Sequence, residues 1–490
     1  MIDKLLEILQ YNPKEPMIFS SGIFLFLFLG FTFVYMLLRK KLTARLAFVT
    51  AFSYYFYYKS SGLYFLLLAI VTVSDFILAM VIERERGKTS ARWMLALSMV
   101  IDIGFLLYFK YTNFFVGMIA NAIGSNFQPW DIFLPVGISF FTFQSMSYTI
   151  DVYRGKIKPL SSLLDYAFYV SFFPQLVAGP IVRATDFIPQ IRKPIRISRD
   201  MFAQGVYLIV VGLFKKAVIS DYISLNFVDR IFDNPAFYSG GEILLGLYGY
   251  CVQIYCDFSG YSDMAIGIAL LLGFRFPVNF NAPYKADSLS DFWRRWHISL
   301  STWIRDYVYI SLGGNRKGNV RMFLNQVVAM TLCGLWHGAS LNFVLWGGMH
   351  GVLVCLHKFF QQTVMRHDRH YHPIGWRRIV SIFLTFHLVA FTWIFFRNQD
   401  FSNAWLMISQ IFGNFSPQLL PQVIYAYRYV FMMICFAFLT HWLPDAWQDR
   451  LVLYIKKCGI VGSAVLLVAV IYLVIQIKTS EVQPFIYFQF

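Results

Sequence analysis

Residues 18–38 read IFSSGIFLFLFLGFTFVYMLL and contain no charged side chain. A helix of about 20 apolar residues rises about 30 Å, which is the thickness of the hydrocarbon core of a bilayer. Apolar runs of similar length recur along the whole chain. Only helices and closed barrels satisfy the backbone inside lipid, so the sequence predicts an all-α polytopic membrane protein with roughly 11–12 spanning helices.

The candidate spans follow directly from these apolar runs. They lie at 18–38, 46–58, 61–82, 93–118, 132–150, 163–179, 202–223, 243–272, 324–356, 377–396, 425–443 and 459–477. The spans 46–58 and 163–179 are short, and 243–272 and 324–356 are long and interrupted by glycine, so we expect tilted, broken or re-entrant helices there. The amphipathic stretch from about 274 to 321 predicts interfacial helices at the cytoplasmic face.

The composition supports a membrane protein and excludes an ordinary soluble enzyme. Of the 490 residues, 58% are hydrophobic and 14% are charged, whereas soluble proteins carry about 25% charged residues. The net charge of +16 would suit a nucleic-acid partner, but the basic residues lie in short clusters between apolar runs. This distribution is typical of cytoplasmic loops, so we expect membrane lipid as a partner and no nucleic acid.

These basic clusters predict the topology. The residues that form them are Arg39, Lys40, Lys41, Arg45, Arg84, Arg86, Lys88, Arg92, Lys456 and Lys457. The positive-inside rule assigns them to the cytoplasm, which places both termini on the extracytoplasmic side. No repeat, linker or low-complexity tract divides the chain, so residues 1–490 are predicted to form a single membrane-embedded domain.

The densest polar cluster, DFWRRWHISLSTWIRDYVYISLGGNRKG, begins at Asp291 and contains His297. On a helix, Asp291 and Arg295 lie one turn apart and can form an ion pair. Trp293 and Trp296 are predicted to anchor the segment at the level of the lipid headgroups. A basic interfacial helix without any catalytic role would have a similar composition.

A second cluster, LCGLWHGASLNFVLWGGMHG, places His337 inside an apolar segment. An ionisable group at that depth requires a cavity or a partner. An imidazole can act as a general base at physiological pH, and Gly334 and Gly338 would let a substrate approach. The alternative is a structural histidine bonded to a neighbouring helix.

A third cluster, QIYCDFSGYSDMAIG, places carboxylates inside a predicted span. Its polar side chains include Asp257, Ser259, Ser262 and Asp263. Such carboxylates line a functional cavity or form an ion pair, and we favour the ion pair. The predicted partners are Arg294, Arg295 and Arg305.

Other catalytic and metal-binding patterns are missing from the sequence. His350 and His357 are seven residues apart on one helix face, but no third ligand follows at metal-binding spacing, so no metal site is predicted. The sequence also lacks a P-loop, a GxSxG elbow, an HExxH motif and a dinucleotide fingerprint. Hydrolysis by a Ser/His/Asp triad and phosphate-driven transport therefore lose support.

Five stretches together resemble a known family over nearly the whole chain. They are LPVGISFFTFQSMSYTIDVYRG at 134–155, FFPQLVAGPIVR at 172–183, the cluster around Asp257, the segment 279–318, and LWHGASLNFVLWGGMHG at 335–351. These stretches resemble the membrane-bound O-acyltransferase family, and within it the bacterial alginate O-acetylation branch.

The resemblance implies a paired-histidine site. His297 and His337 match the two histidines of the family, with His337 as the presumed catalytic base. It further implies a central tunnel in which a cytoplasmic acyl donor, acetyl-CoA, meets an outward acceptor, with no bound cofactor. The residues expected to bind substrate or line this tunnel are Asp257, Ser259, Arg294, Arg295, Trp296, Arg305, Trp336 and Asn342.

The C-terminal residues 478–490 form an expected extracytoplasmic tail with the motif FIYFQF. This motif resembles one seen in envelope acyltransferases or their small partner peptides, where its tyrosine is thought to carry the acyl group. Tyr487 is therefore the candidate carrier and the third catalytic residue. A hydrophobic plug is the alternative role of the tail.

Together these features predict an acetyltransferase of the bacterial inner (plasma) membrane that serves O-acetylation of an alginate-like exopolysaccharide or of peptidoglycan. A secreted or membrane-anchored SGNH-type acetyltransferase is the expected partner on the outer side. The alternatives are D-alanyl transfer to teichoic acid and a polytopic transporter or channel. The GGNRKG stretch and the built-in tail motif favour acetyl transfer, and the lack of repeated halves argues against a transporter.

Overall fold

The computed structural model describes residues 9–13, 16–366, 368 and 371–477. Within these ranges the chain folds into helices and contains no β-strand. The all-α prediction is therefore confirmed. The tail 478–490, and Tyr487 with it, lies outside the described residues.

The helices differ widely in length. In chain order they are α1 (Gly22–Leu37), α2 (Leu42–Ser61), α3 (Phe65–Arg84), α4 (Thr89–Leu106), α5 (Thr112–Ala122), α6 (Ile138–Tyr153), α7 (Leu163–Ser171), α8 (Phe173–Leu176), α9 (Ala184–Ile191), α10 (Arg199–Leu213), α11 (Asp221–Ile223), α12 (Asp229–Asp233), α13 (Gly240–Leu271), α14 (Leu289–Arg295), α15 (Ile298–Trp303), α16 (Gly318–His337), α17 (Leu341–Phe359), α18 (Trp376–Arg397), α19 (Phe401–Gly413), α20 (Leu420–Ala426), α21 (Arg428–Trp442) and α22 (Asp445–Ile477). Short π-helical segments, such as Phe214–Ser220 after α10 and Phe360–Val364 after α17, continue several of them.

Six helical stretches in the described part of the chain are long and apolar enough to cross a membrane, or seven if one bent pair counts as a span. The six are Leu42–Arg84, Thr89–Ala122, Arg199–Asp233, Leu341–Val364, Trp376–Arg397 and Asp445–Val474. The sequence predicts roughly 11–12 spans, which is more than these six. Two of the predicted spans, 46–58 and 61–82, fall within the single stretch Leu42–Arg84, and others correspond to short helices such as α7. The chain is nonetheless a multi-pass membrane protein.

The two long glycine-containing spans differ from each other in the structure. The predicted span 243–272 corresponds to α13, which runs without a break from Gly240 to Leu271, so a broken helix is ruled out there and a tilted helix stays a prediction. The predicted span 324–356 is broken as expected, since α16 ends at His337 and α17 begins at Leu341. Glycine within a helix is tolerated wherever close packing compensates its lower propensity, which explains the difference.

The chain divides into two compact units. One comprises Met1–Ile209 and Tyr261–Pro277, and the other comprises Val210–Gly260 and Val278–Phe490. A single membrane-embedded domain over 1–490 stays a prediction.

The first unit is organised around α6, in which nearly every residue is buried. Its polar side chains bond to neighbouring helices, as expected for polar groups away from water. The Gln144 amide donates to the carbonyl oxygen of Tyr169 (3.0 Å), and Ser98 of α4 donates to Asp75 of α3 (2.7 Å) and lies 3.2 Å from Thr149 of α6. These bonds connect the helices of the unit through their interior.

The second unit is organised around the hairpin of α16 and α17, whose backbones touch at a glycine seam. We define this seam as Gly334 of α16 with Gly347 and Gly351 of α17. A Cβ atom on Gly334 or Gly347 would overlap the backbone of the facing helix, and one on Gly351 would lie 2.8 Å from Cα of Val327. Small residues allow helices to approach this closely inside a membrane, where van der Waals packing drives association.

Candidate active site

The second unit brings His297 and His337 together. Their ring centroids are 6.3 Å apart, and the ring planes are inclined by 58°. Their relative exposures are 0% and 1%, so both imidazoles lie in the interior. The pair predicted from the sequence is therefore a spatial pair.

His297 occupies a turn between two short helices. It immediately precedes α15 and has a φ of 43°, in the left-handed region that non-glycine residues rarely adopt. Asn279 holds this turn in place, because its carbonyl oxygen accepts from the N–H of Ile298 (2.9 Å) and its side-chain oxygen accepts from the N–H (3.1 Å) and hydroxyl (2.9 Å) of Ser299. Strained backbone of this kind persists only where the surroundings fix it, and it is common at functional sites.

His337 is the last residue of α16, and Gly338 continues in an extended conformation. The sequence predicts that Gly334 and Gly338 make room for a substrate, and this prediction is wrong. A Cβ atom on Gly338 would overlap the ring of Phe343. A Cβ atom on Gly334 would overlap the backbone carbonyl oxygen of Phe343. The space beside these glycines is already filled by α17, so they serve helix packing.

An aromatic cage surrounds the two imidazoles. Its members are Phe258, Phe280, Trp336, Trp346 and Phe396. Trp336 contacts both rings, with its centroid 5.8 Å from that of His297 and 5.0 Å from that of His337. Such an apolar surrounding excludes water and strengthens the hydrogen bonds and charge interactions of a group that reacts there.

Asp257 has a different partner from the one the sequence predicts. Its carboxylate pairs with Lys216 at 2.5 Å, and Lys216 also contacts Asp221 at 2.7 Å. The side chains of Lys216 and Asp257 are only 3% and 4% exposed. The predicted ion pair with Arg294, Arg295 or Arg305 is therefore wrong.

Two of those arginines pair locally instead. Arg295 binds Asp291 one helical turn away (2.8 Å), as its spacing predicts, and Arg305 binds the adjacent Asp306 (2.6 Å). Arg294 is exposed on α14. Asp291 and Arg295 lie one turn apart on the same face of α14, whereas Arg305 and Asp306 are neighbours in the π-helical segment Ile304–Tyr309 that follows α15.

The two predicted headgroup anchors, Trp293 and Trp296, are buried in the protein, so that prediction is wrong. Trp296 is 1% exposed, and its ring stacks on Phe292 with centroids 5.5 Å apart. Trp293 donates its indole N–H to Nδ1 of His350 (3.3 Å), whose Nε2 lies 2.9 Å from the hydroxyl of Thr392. His350 on α17 thus connects α14 with α18. No group of three potential metal ligands occurs among the described residues.

Two further predicted residues lie outside the cage. Asn342 donates to the backbone oxygen of Asn398 (2.8 Å) and so ties the start of α17 to the end of α18. Ser259 is buried on α13, and in the described part of the chain its hydroxyl has no hydrogen-bond partner. Of the predicted substrate residues, Trp336 contacts both rings of the histidine pair.

A comparison with known proteins identifies the family of this chain. Residues 90–396 match the membrane-bound O-acyltransferase family. The chain belongs to the membrane-bound O-acyltransferase family. It is therefore an O-acyltransferase.

Several relatives are similar over most of this O-acyltransferase. The probable alginate O-acetylase AlgI of Pseudomonas aeruginosa is 41% identical, over 81% of this chain and 75% of its own length. The peptidoglycan O-acetyltransferase of Helicobacter pylori is 34% identical, over 81% of this chain and 80% of its own length. The teichoic acid D-alanyltransferase of Bacillus subtilis is 29% identical, over 56% of this chain and 71% of its own length.

Sequence reasoning missed two residues of this acyltransferase that fix the site. Lys216 lies in the apolar stretch LFKKAVIS, and a lysine inside a membrane span is itself a signal for a buried partner. Asn279 carries no such signal, because an asparagine in an irregular segment is common. Its role depends on the backbone of the turn at His297, which only the fold reveals.

Replacement of Lys216 by methionine should destabilise the protein strongly. The change keeps an unbranched chain but leaves the Asp257 carboxylate buried beside Asp221 without the ammonium group. Removing one partner of a buried ion pair costs about 3–5 kcal/mol. Thermal unfolding of the detergent-purified protein measures the loss, and Lys216→Met combined with Asp257→Leu should recover most of it. Equal stability of the wild type and Lys216→Met would show that the pair contributes little.

Proposed function

We propose that this enzyme moves an acetyl group from a cytoplasmic donor, acetyl-CoA, across the membrane for O-acetylation of an alginate-like exopolysaccharide or of peptidoglycan. The observation that carries the proposal is the buried, aromatic-enclosed pair of His297 and His337 in a chain of this family. The acetyl group is favoured because relatives named for alginate and peptidoglycan acetylation match this chain over 81% of its length.

His337 acts as the general base in this proposal. It removes the proton from an acceptor hydroxyl while the oxygen attacks the thioester carbonyl, the C–S bond breaks, and the proton returns to the departing thiolate. A positioned base of this kind contributes about 100- to 10,000-fold in rate. His297 positions the donor, since proximity and orientation account for a large part of acyl-transfer catalysis.

The topology supports an outward position for His337. Arg316 and Lys317 precede α16, and the positive-inside rule assigns them to the cytoplasm. The opposite end of this helix, where His337 lies, then points toward the extracytoplasmic side. Lys456 and Lys457 precede the final apolar span, and Arg39, Lys40 and Lys41 follow the first one, which supports extracytoplasmic termini. The bacterial inner membrane is the proposed location.

Tyr487 is the proposed acyl carrier. A phenol has an ordinary pKa of about 10, well below that of an aliphatic alcohol, so a base converts it to a nucleophile more readily. The tail would fold back to the outward end of the site, accept the acetyl group from the donor, and pass it to an SGNH-type acetyltransferase. That partner would complete transfer to the polysaccharide.

D-alanyl transfer to teichoic acid is the less favoured acyl reaction. The Bacillus subtilis D-alanyltransferase matches only 56% of this chain, at 29% identity. A transporter or channel is disfavoured because the chain belongs to a family of O-acyltransferases. The GGNRKG stretch and the built-in FIYFQF motif also favour acetyl transfer.

Replacement of His297 by asparagine tests the proposal with the least disturbance of the fold. Asparagine tolerates the left-handed conformation that this position adopts, so the turn held by Asn279 should persist. We expect a large, incomplete loss of acetyl transfer, seen as release of thiol from acetyl-CoA by the membrane-reconstituted protein and as acetate esters on the polymer. His297→Ala should lose activity and also stability. Unchanged donor use and turnover in His297→Asn would reassign His297 to a structural role.

A further inference from the structure

A tryptophan of the aromatic cage carries a polar group that the mechanism above does not use. Trp346 lies on α17, is 0% exposed, and contacts His337 with ring centroids 5.2 Å apart and ring planes inclined by 89°. In the described part of the chain, its indole N–H has no hydrogen-bond partner. Trp346 therefore places a buried, unsatisfied donor beside the residue that we assign as general base.

An unsatisfied donor of this kind lowers stability. Burying an N–H group without a partner costs about 1–3 kcal/mol, and a buried indole usually finds a partner. The neighbouring Trp293 does so, because its N–H donates to Nδ1 of His350 (3.3 Å). A phenylalanine in place of Trp346 would offer an aromatic ring to the same neighbours without this cost. Packing alone therefore does not explain the indole, and a catalytic role is one of the recognised reasons for leaving a buried polar group unsatisfied.

The glycine seam fixes Trp346 relative to His337. Trp346 directly precedes Gly347, where a Cβ atom would lie 3.0 Å from Cα of Gly334, and His337 follows Gly334 by three residues on α16. A stacked ring restricts the indole as well, since Trp393 of α18 packs on Trp346 with centroids 5.5 Å apart and planes inclined by 18°. The donor is therefore held in place before a substrate binds, which is the condition for electrostatic stabilisation of a transition state.

The distance between the two rings suits a reacting carbonyl group. An acceptor hydroxyl that gives its proton to His337 lies about 3 Å from the imidazole nitrogen. The hydroxyl oxygen attacks a carbonyl carbon, and a donor that stabilises the resulting oxyanion lies about 3 Å from that second oxygen. A base and a donor whose ring centroids are 5.2 Å apart can therefore contact the two oxygens of one tetrahedral intermediate. The apolar cage strengthens the hydrogen bond to the oxyanion, because it excludes competing water.

We propose that the indole N–H of Trp346 stabilises the oxyanion that forms during acyl transfer. The inference rests on the proposed function. The acceptor oxygen bonds to the thioester carbon while its proton passes to His337. The electron pair of the C=O bond moves to the carbonyl oxygen, which accepts a hydrogen bond from Trp346. When the C=O bond re-forms, the C–S bond breaks and the thiolate takes the proton from His337. The indole keeps its own proton throughout, so Trp346 is a catalytic hydrogen-bond donor and not an acid.

The test compares Trp346→Phe with Trp393→Phe in the full-length protein in lipid nanodiscs, with acetyl-CoA as the donor. Both indoles are 0% exposed, but Trp346 contacts the ring of His337, whereas the ring contacts of Trp393 are with Trp296, Trp346 and Phe396. We expect Trp346→Phe to lower kcat by about 100- to 1,000-fold, as the loss of one oxyanion donor does elsewhere, while KM for acetyl-CoA changes by less than about 2-fold. Trp393→Phe creates a similar small cavity and should keep kcat within about 3-fold of the wild type.

A replacement that preserves the shape of the side chain separates the N–H group from the packing of the ring. Incorporation of 3-benzothienylalanine in place of Trp346 keeps a bicyclic ring and puts sulfur where the N–H group was. This variant should show the same loss of kcat with thermal stability equal to or above that of the wild type, because an unsatisfied donor is removed. The pH dependence of kcat/KM should keep its shape, because His337 remains the base.

Two outcomes overturn the inference and leave the proposed function standing. One is wild-type kcat in the benzothienylalanine variant, and the other is an equal loss of kcat in Trp346→Phe and Trp393→Phe. A wild-type protein that does not turn over acetyl-CoA overturns the proposed function, and the inference with it.

Discussion

Replacement of His337 by alanine is expected to abolish acetylation, with kcat lowered by about 100- to 10,000-fold. The change removes the imidazole that we assign as general base. It leaves the glycine seam intact, and alanine is a good helix former at the end of α16. The protein should therefore still insert and accumulate. Acetate esters on the polymer and turnover of acetyl-CoA by the purified protein measure the loss.

The matched control is His387→Ala. His387 also lies in an apolar helix of the second unit, but its ring contacts Tyr248, Phe383 and Phe386 and none of the cage residues. This variant should keep its activity. Undiminished acetylation by His337→Ala, at equal protein levels, would contradict the assignment of the base.

Replacement of Tyr487 by phenylalanine is expected to stop acetylation of the polymer. The change deletes only the hydroxyl and keeps almost all apolar contact, so it separates a carrier from a hydrophobic plug. Tyr487 lies outside the described residues, and its role is argued from the sequence of the tail and the predicted topology. Intact-mass analysis of the wild-type tail peptide should find an added acetyl group on Tyr487, and the variant should lack it.

Tyr472→Phe controls for the loss of a phenol elsewhere in the same region. Tyr472 is exposed on α22, the last described helix, and the variant should acetylate the polymer normally. Wild-type acetylation by Tyr487→Phe would leave the tail with the role of a plug. The His337 assignment would then stand independently.

Much of the fold could be predicted because lipid imposes a simple rule on sequence. Apolar runs long enough to cross the bilayer must be helical, and they locate most of the long helices. His337 was also predictable, since an ionisable residue in an apolar segment is rare and marks a function, whereas its pairing with His297 was implied by the family resemblance. A broken helix within 324–356 was among the forms predicted from the length and glycines of that span, but its position after His337 was not.

The partners of buried groups were less predictable. The pairing of Asp257 with Lys216 depends on which faces of α13 and the segment after α10 meet, and periodicity along one helix does not contain that information. The tryptophans beside His297 illustrate the same point, because an indole suits both a headgroup region and a packed interior. The sequence around Gly338 predicts space for a substrate, but the ring of Phe343 occupies that space.

The glycine seam fixes the register of the catalytic base. Because α16 is held against α17 at Gly334, the direction of the His337 ring is set by the three residues that follow this contact. Each residue in a helix advances the chain by about 1.5 Å and turns it by about 100°. One residue inserted between Gly334 and His337 would point the imidazole away from His297 with every side chain of the cage still present. The number of residues between Gly334 and His337 therefore fixes the position of the catalytic base. A change in that number would be as harmful as replacement of the histidine itself.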